Sequence, residues 1–141
     1  MFYPMFIMIL LTFAVSFYLL GLRISAVKRQ QISVGYFRTN SGASEPPVRV
    51  QQAANHFGNL FEVPLLFYVT CLMVMTLNYQ NSLLEICAWV FVITRVIHGY
   101  IHLTYNNVLH RMLAFFAGVI CILIMWVVLA AHMAARQSMM Q

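Results

Sequence analysis

The sequence predicts an all-α integral membrane protein, built as a bundle of four transmembrane helices, and three observations lead to this fold class. The 141-residue chain is 62% hydrophobic and only 8% charged, whereas about 25% of the residues in a soluble domain are charged. Its mean hydropathy is +0.82. Four apolar segments approach the roughly 20 residues that a helix needs to cross a bilayer. These observations exclude an ordinary soluble protein and predict a single membrane domain over residues 1–141.

The first spanning helix is predicted at about residues 2–22, which carry no charged side chain. Arg23, Lys28 and Arg29 follow this segment, whereas the positive charges of a signal peptide precede its apolar segment. The order indicates a retained membrane anchor. Basic residues mark a cytoplasmic loop, here residues 23–47, so both termini are expected on the non-cytoplasmic side. The net charge of +5 then reflects topology and contact with membrane lipids, and no nucleic-acid partner is expected.

The second spanning helix is predicted at about residues 48–77, beginning just after Pro47, because proline is tolerated in a first helical turn. Its first half is polar and its second half is apolar. A helix of this length extends for about 45 Å, which exceeds a hydrocarbon core of about 30 Å. The polar half is therefore expected in the headgroup zone or along a polar cavity, and Pro64 is expected to kink the helix.

The third and fourth spanning helices are predicted at about residues 83–104 and 112–133, joined by a short loop. Ser82 and Glu85 match a capping box, in which the two side chains satisfy free backbone donors at a helix start. This assignment explains Glu85 without any catalytic role. The loop at residues 105–110 then lies on the same side of the membrane as the basic loop.

Polar side chains recur at helical spacing on the second and third predicted helices. The third helix carries Arg95, His98, His102 and Tyr105, and the second carries Gln52, Asn55, Asn59 and Glu62. In each set the side chains share one face, because the offsets fall near whole helical turns. Ionisable groups in lipid cost a few kcal/mol or more unless they face protein, a cavity or headgroups. We therefore expect the two stripes to face each other, with Glu62 paired to Arg95.

Three interpretations of these polar groups remain open. A pair between Arg95 and Glu62 could simply fix helix register, since polar contacts in membrane proteins average only about 0.6 kcal/mol. One pair suffices for register, so the number of polar groups favours a ligand pocket. A zinc site from His98, His102 and Glu62 is chemically reasonable, but nearby arginines disfavour a cation. Arg111, considered without the other polar residues, could simply extend its side chain to the lipid headgroups.

Several features of the chain together indicate a family. They are the four-span layout, Asn59-Leu-Phe-Glu62 followed by Pro64, and the segment from Arg95 and His98 through Leu103-Thr104 to Arg111, then Phe115-Phe116 and Gly118. With these features the chain resembles the MAPEG family, the membrane-associated proteins in eicosanoid and glutathione metabolism. The last segment is similar to the glutathione-dependent prostaglandin E synthase branch, in a bacterial-type member.

The resemblance implies a homotrimer that binds glutathione, or a related thiol, at each subunit interface near the cytoplasmic face. Asn59 and Glu62 would hold the polar ends of glutathione, and Arg95 and His98 would line the same site. Arg111 would lie beside the thiol as the catalytic residue, because a fixed guanidinium favours the reactive thiolate.

Three further residues complete the cofactor-binding set that the resemblance implies: Asn55, His102 and Tyr105. Two of them depart from the family pattern. Asn55 stands where the family commonly has an arginine, and His102 replaces a tyrosine, with Tyr105 one turn further on. The expected pocket therefore has one cation and one hydroxyl group fewer.

The predicted function is a membrane-bound glutathione-dependent transferase or peroxidase that acts on a lipophilic small molecule. One alternative is a non-catalytic lipid-binding or scaffold protein of the same family. Another is a small proton-coupled multidrug transporter with Glu62 as its carrier acid, although such a transporter needs neither the long second helix nor the segment 95–111. With no targeting or retention signal in the sequence, a bacterial inner membrane is expected.

Overall fold

The computed structural model describes residues 1–39, 45–79 and 81–139. In these ranges the chain forms six helices and no strand: α1 (Phe2–Lys28), α2 (Tyr36–Thr39), α3 (Val48–Asn59), α4 (Val63–Thr76), α5 (Ser82–Leu103) and α6 (Val108–Ser138). Four segments are long and apolar enough to cross a membrane, namely α1, α3 together with α4, α5, and α6. The predicted all-α, four-helix membrane fold is confirmed.

The first and fourth spanning helices are longer than the sequence predicted. α1 continues past Leu22 to Lys28, and α6 begins at Val108 and ends at Ser138. Charged side chains end an apolar segment without ending a helix, because long basic side chains can reach the headgroup zone while the backbone ladder continues. The predicted loop at residues 23–47 is therefore partly helical, and its residues 40–44 lie outside the described ranges.

The second spanning segment is interrupted between α3 and α4. Pro64 has no N–H group, and its ring would collide with the carbonyl of Leu60, so the α-helical hydrogen-bond ladder cannot pass through this point. The N–H of Phe61 instead donates to the carbonyl of Gly58 at 2.9 Å, a tighter turn than that of an α-helix. The predicted kink at Pro64 is confirmed, and it is a full break at residues 60–62.

The start of α5 corrects another prediction. The N-cap is Asn81, whose side-chain oxygen accepts from the N–H groups of Leu83 and Leu84 at 2.9 and 3.3 Å. Ser82 lies inside the helix, so the predicted capping box of Ser82 and Glu85 is wrong. Asparagine and serine are both favoured at this position, and the sequence alone could not choose between neighbours.

Two apolar clusters hold the helices together. The larger joins α1, α4, α5 and α6, where the stacked rings of Phe67 and Phe91 have centroids 4.4 Å apart. The smaller joins the second half of α1 to α3 through residues that include Leu19 and Ala53. α5 is the most buried of the spanning helices. Its polar stripe therefore faces protein and not lipid, and ionisable side chains are tolerated there.

Candidate functional site

Arg95 links α5 to α6 from a buried position. Its side chain is 2% exposed, and Nη2 donates to the carbonyl of Phe115 at 2.7 Å. The guanidinium carbon lies 5.0 Å from the ring centroid of Phe91 and 4.9 Å from that of Phe115, which is within cation–π range. Gly118 leaves the space for it, since a Cβ there would lie 2.5 Å from Nη2. Arg95 thus holds two helices together.

The predicted ion pair between Glu62 and Arg95 is wrong. Glu62 is exposed at the break between α3 and α4, whereas Arg95 is enclosed between α5 and α6. In the described residues, no three His, Cys, Asp or Glu side chains are arranged to hold a metal ion. The zinc alternative that combined Glu62 with two histidines therefore has no support from the geometry.

The two polar stripes do not face each other within the subunit. Asn55 is exposed like Glu62, and Asn59 is half-buried. The face of α3 that is buried carries Val50, Ala53 and His56 instead. Helical periodicity identifies which residues share a face, but the direction of that face depends on packing with distant segments.

Arg111 is held by three groups at the junction of α5 and α6. Its Nη1 donates to Nε2 of His102 at 3.1 Å and to Oδ1 of Asn106 at 2.9 Å. His98 donates from Nδ1 to the backbone carbonyl of Arg111 at 3.0 Å. Asn106 has a φ of 48°, a left-handed conformation that asparagine tolerates better than most residues. The turn and both helices therefore fix the position of Arg111.

The Arg111 guanidinium keeps unused donors. The side chain is only half-buried, and its two recorded hydrogen bonds within the described chain both come from Nη1. A guanidinium has five N–H donors and stays charged. Arg111 therefore combines a fixed orientation with free donors at the surface. A residue that stabilises a bound anion requires both properties.

Tyr105 does not belong to the stripe on α5. The helix ends at Leu103, because Thr104 leaves the helical conformation with φ −109° and ψ −100°. Tyr105 lies in the following turn, 56% exposed, with its hydroxyl oxygen 3.1 Å from Nδ1 of His110. Its predicted place one turn further along the same helical face is wrong for this reason.

His56 lies beside the predicted site residues His98 and His102, although no sequence motif marks it. Its side chain is 1% exposed, and its ring centroid lies 5.7 Å from that of His98 and 5.4 Å from that of His102. Gly99 provides the room, since a Cβ there would lie 2.7 Å from Nε2 of His56. The sequence feature that could have identified His56 is its spacing of three residues from Ala53, which places both residues on the buried face of α3.

An apolar groove runs between α1 and the break that separates α3 from α4. Its volume is about 550 Å³, and it is lined by Ile9, Thr12, Phe13, Ser16, Phe57, Leu60, Phe61, Leu65 and Tyr68. Phe13 and Leu65 are exposed, so the groove opens towards the surroundings of α1 and α4. Phe61 precedes Glu62, so the groove meets the exposed polar stripe at the break. The volume falls in the range of small-molecule sites.

The fold and this site define an integral membrane protein with a polar centre at the junction of its last two helices. Comparison with protein-family models matches residues 1–131 to the MAPEG family, and the chain belongs to this family. Its members generally use glutathione. No curated protein and no solved structure matches the chain. The family match spans α1 to α5 and most of α6, so it covers every residue of the site.

Proposed function

We propose that this protein is a membrane-bound glutathione-dependent transferase or peroxidase that acts on lipophilic substrates, with Arg111 stabilising the glutathione thiolate. The observation that carries the proposal is the Arg111 guanidinium, oriented by His102 and Asn106 through one nitrogen and half-buried. A free thiol has a pKa of about 8.5, and the thiolate is the nucleophile. An adjacent cation favours the ionised form, so Arg111 would raise the reactive fraction at neutral pH.

The exposed polar face formed by α3 and the break after it supports a site that a second copy of the chain completes. Asn55 and Glu62 are exposed, and Asn59 is half-buried, on a molecule whose exposed surface is rich in large apolar side chains. Such polar groups are unfavourable against lipid. In our proposal this face meets the neighbouring subunit of a homotrimer and contacts the polar ends of glutathione. Mass measurement of the detergent-solubilised protein tests this assembly, and a monomer would contradict it.

The buried side chains of α5 take supporting positions in this proposal. His98 and His102 are each 3% exposed, and both touch Arg111. Arg95 is held on Phe115 of α6. These three residues would fix the wall of the glutathione site, and Tyr105, exposed in the adjoining turn, would lie at its rim.

The proposed topology places the site on the cytoplasmic side of a bacterial inner membrane. The basic residues after the first apolar segment support this orientation, and with an even number of spans among the described residues both termini would lie on the opposite side. Fusion of a fluorescent protein that matures only in the cytoplasm to the C-terminus tests the orientation. A fluorescent fusion would contradict it.

The decisive experiment for the function measures glutathione binding and ionisation together. Purified protein is titrated with glutathione by calorimetry, and the ultraviolet absorbance of the thiolate is recorded at neutral pH. S-methylglutathione, which cannot ionise at sulfur, serves as the matched control ligand. We expect binding of both ligands and a thiolate signal from glutathione alone. Failure of the protein to bind glutathione would refute the proposed function.

A non-catalytic binding protein is the second candidate, because His102 and Asn106 already occupy Nη1 of Arg111. Glutathione binding without a thiolate signal would favour this candidate over the enzyme.

The transporter alternative predicts that Glu62→Gln abolishes substrate-driven proton release. Glu62 is exposed at the break between α3 and α4, so we expect the substitution to weaken glutathione binding instead.

A further inference from the structure

Three buried histidines form a cluster between α3 and α5: His56, His98 and His102, which are 1%, 3% and 3% exposed. Their ring centroids are 5.4 to 5.8 Å apart. Four of the ring nitrogens have no hydrogen-bond partner in the described residues, namely both nitrogens of His56, Nε2 of His98 and Nδ1 of His102. Buried polar atoms are normally paired, so this histidine cluster requires an explanation.

Arg111 determines which nitrogens of two of these rings carry protons. A guanidinium can only donate, so Nε2 of His102, 3.1 Å from Nη1 of Arg111, accepts and carries no proton. His102 is then neutral, with its proton on Nδ1. A carbonyl oxygen can only accept, so Nδ1 of His98 is the donor to Arg111. In the neutral ring, Nε2 of His98 is consequently an acceptor. The cluster thus contains one unused donor, on His102, and one unused acceptor, on His98.

His56 can supply both missing partners, an acceptor for Nδ1 of His102 and a donor for Nε2 of His98. A neutral imidazole offers one donor and one acceptor, and neither is used in His56. If His56 accepts from Nδ1 of His102 and donates to Nε2 of His98, all four unpaired nitrogens are satisfied together. At these ring separations, the contacts require only ring rotation or a bridging water, which typically joins such buried polar groups.

The backbone of α5 supports this position of His56. Gly99 follows His98 directly and lies on the same helix as His102. Nε2 of His56 would lie 2.7 Å from a Cβ at position 99, so the imidazole rests on the one residue there that has no side chain. A larger residue would push His56 away from both of its neighbours.

We propose that His56 is a positioning residue that closes a hydrogen-bond circuit around Arg111. The circuit begins at the Arg111 guanidinium, passes through His102, His56 and His98, and ends at the Arg111 carbonyl. It holds the guanidinium in the direction that faces a bound thiol. This last step rests on the proposed function, whereas the circuit itself is a property of the chain without any ligand.

The test compares two substitutions of His56 in the full-length protein, labelled with nitrogen-15 and carbon-13 on histidine and held in detergent micelles. His56→Leu removes both polar atoms, and His56→Gln retains a donor and an acceptor. His132→Leu is the control, because His132 stacks on Tyr79 with ring centroids 3.8 Å apart, outside the cluster. Histidine chemical shifts distinguish a proton on Nδ1 from one on Nε2.

We expect the Nδ1-protonated form of His102 in the wild type, in His56→Gln and in His132→Leu. In His56→Leu, His102 should keep its proton on Nδ1, because Arg111 still donates to Nε2, but the Nδ1 resonance and its proton should move to the positions of an N–H group without a hydrogen-bond acceptor. A wild-type His102 that is protonated on Nε2 would overturn the proposal, and so would a His56→Leu spectrum identical to that of the wild type. If His56→Leu does not fold, the wild-type spectrum still decides the outcome, because a His102 Nδ1–H at the position of an N–H group without a hydrogen-bond acceptor would overturn the proposal.

The second measurement is the thiolate absorbance of bound glutathione at neutral pH. His56→Leu should lower it by roughly two- to tenfold, the range that the loss of one ordinary hydrogen bond corresponds to, and His56→Gln should restore it. An unchanged thiolate signal in folded His56→Leu would overturn the positioning role. If the wild type binds no glutathione, the proposed function fails, while the chemical shifts still decide whether the circuit exists.

Discussion

Arg111 donates from Nη1 to Nε2 of His102 at 3.1 Å, and this contact joins the first turns of α6 to the buried end of α5. Asn106, in the turn between the two helices, accepts from the same nitrogen at 2.9 Å. Because the residues that hold Arg111 come from one helix end and one turn, its orientation depends on how α5 and α6 pack. The centre of the candidate site is therefore at this junction, and not between α3 and α5 as the predicted facing stripes implied.

Arg111→Lys tests whether the guanidinium itself stabilises the thiolate. Lysine keeps the charge but cannot donate in the fixed planar geometry of arginine, so it loses the contacts that orient residue 111. We expect the thiolate absorbance at neutral pH to fall by roughly tenfold, with glutathione still bound in calorimetry. Arg136→Lys, at an exposed position near the end of α6, is the control and should behave like the wild type. An unchanged signal in Arg111→Lys would show that charge alone suffices.

Arg95→Ala separates a structural role from a ligand-binding role. The substitution removes the hydrogen bond to Phe115 and the contacts with two aromatic rings, and it leaves a cavity. We expect the free energy of unfolding in detergent to fall by about 2–5 kcal/mol. Arg29→Ala, at an exposed position, should have little effect.

Glutathione affinity provides the second half of the Arg95 test. Since Arg95 is 2% exposed, the folded fraction of Arg95→Ala should bind glutathione with nearly wild-type affinity. A variant with wild-type stability and no glutathione binding would instead place Arg95 in direct contact with the ligand.

Gly118→Ala tests the close packing of α5 on α6. The new Cβ would lie 2.5 Å from Nη2 of Arg95 and 2.8 Å from Oγ1 of Thr94, so both side chains must shift. Overpacking of this kind typically costs about 1–3 kcal/mol, which should lower the midpoint of thermal unfolding measured by circular dichroism. Gly21→Ala is the matched control, because nothing lies within 4 Å of its new Cβ. Equal midpoints for the two variants would contradict the packing that we describe.

Ser16→Phe tests whether the apolar groove admits the lipophilic substrate. Ser16 lines the groove, and a phenyl ring there would fill part of its volume. With chlorodinitrobenzene as the electrophile, we expect KM for the electrophile to rise several-fold and glutathione affinity to remain unchanged. Val127→Phe, at a position 68% exposed on α6, is the control. Wild-type kinetics in Ser16→Phe would exclude the groove as the substrate site.

Local sequence signals predicted the features of the fold that depend on local chemistry. Four apolar segments were sufficient to predict four spans, because each must satisfy its own backbone hydrogen bonds in lipid. Pro64 predicted the break, since the steric conflict involves only its own helix. Helix ends were less predictable: Asn81 and Ser82 are both suitable caps, and α1 and α6 continue beyond their apolar segments.

The sequence by itself determined the fold class and placed Arg95, His98 and His102 on one helical face, because hydropathy and helical period act over a few residues. Only the tertiary structure decided that His56, and not Glu62, approaches that face, and that Arg111 meets His102. The rotation of a helix about its own axis is set by side chains that come from distant parts of the chain. For α3, the space above Gly99 admits the ring of His56, and Asn55 on the same helix is exposed, while Glu62 is exposed at the break that follows.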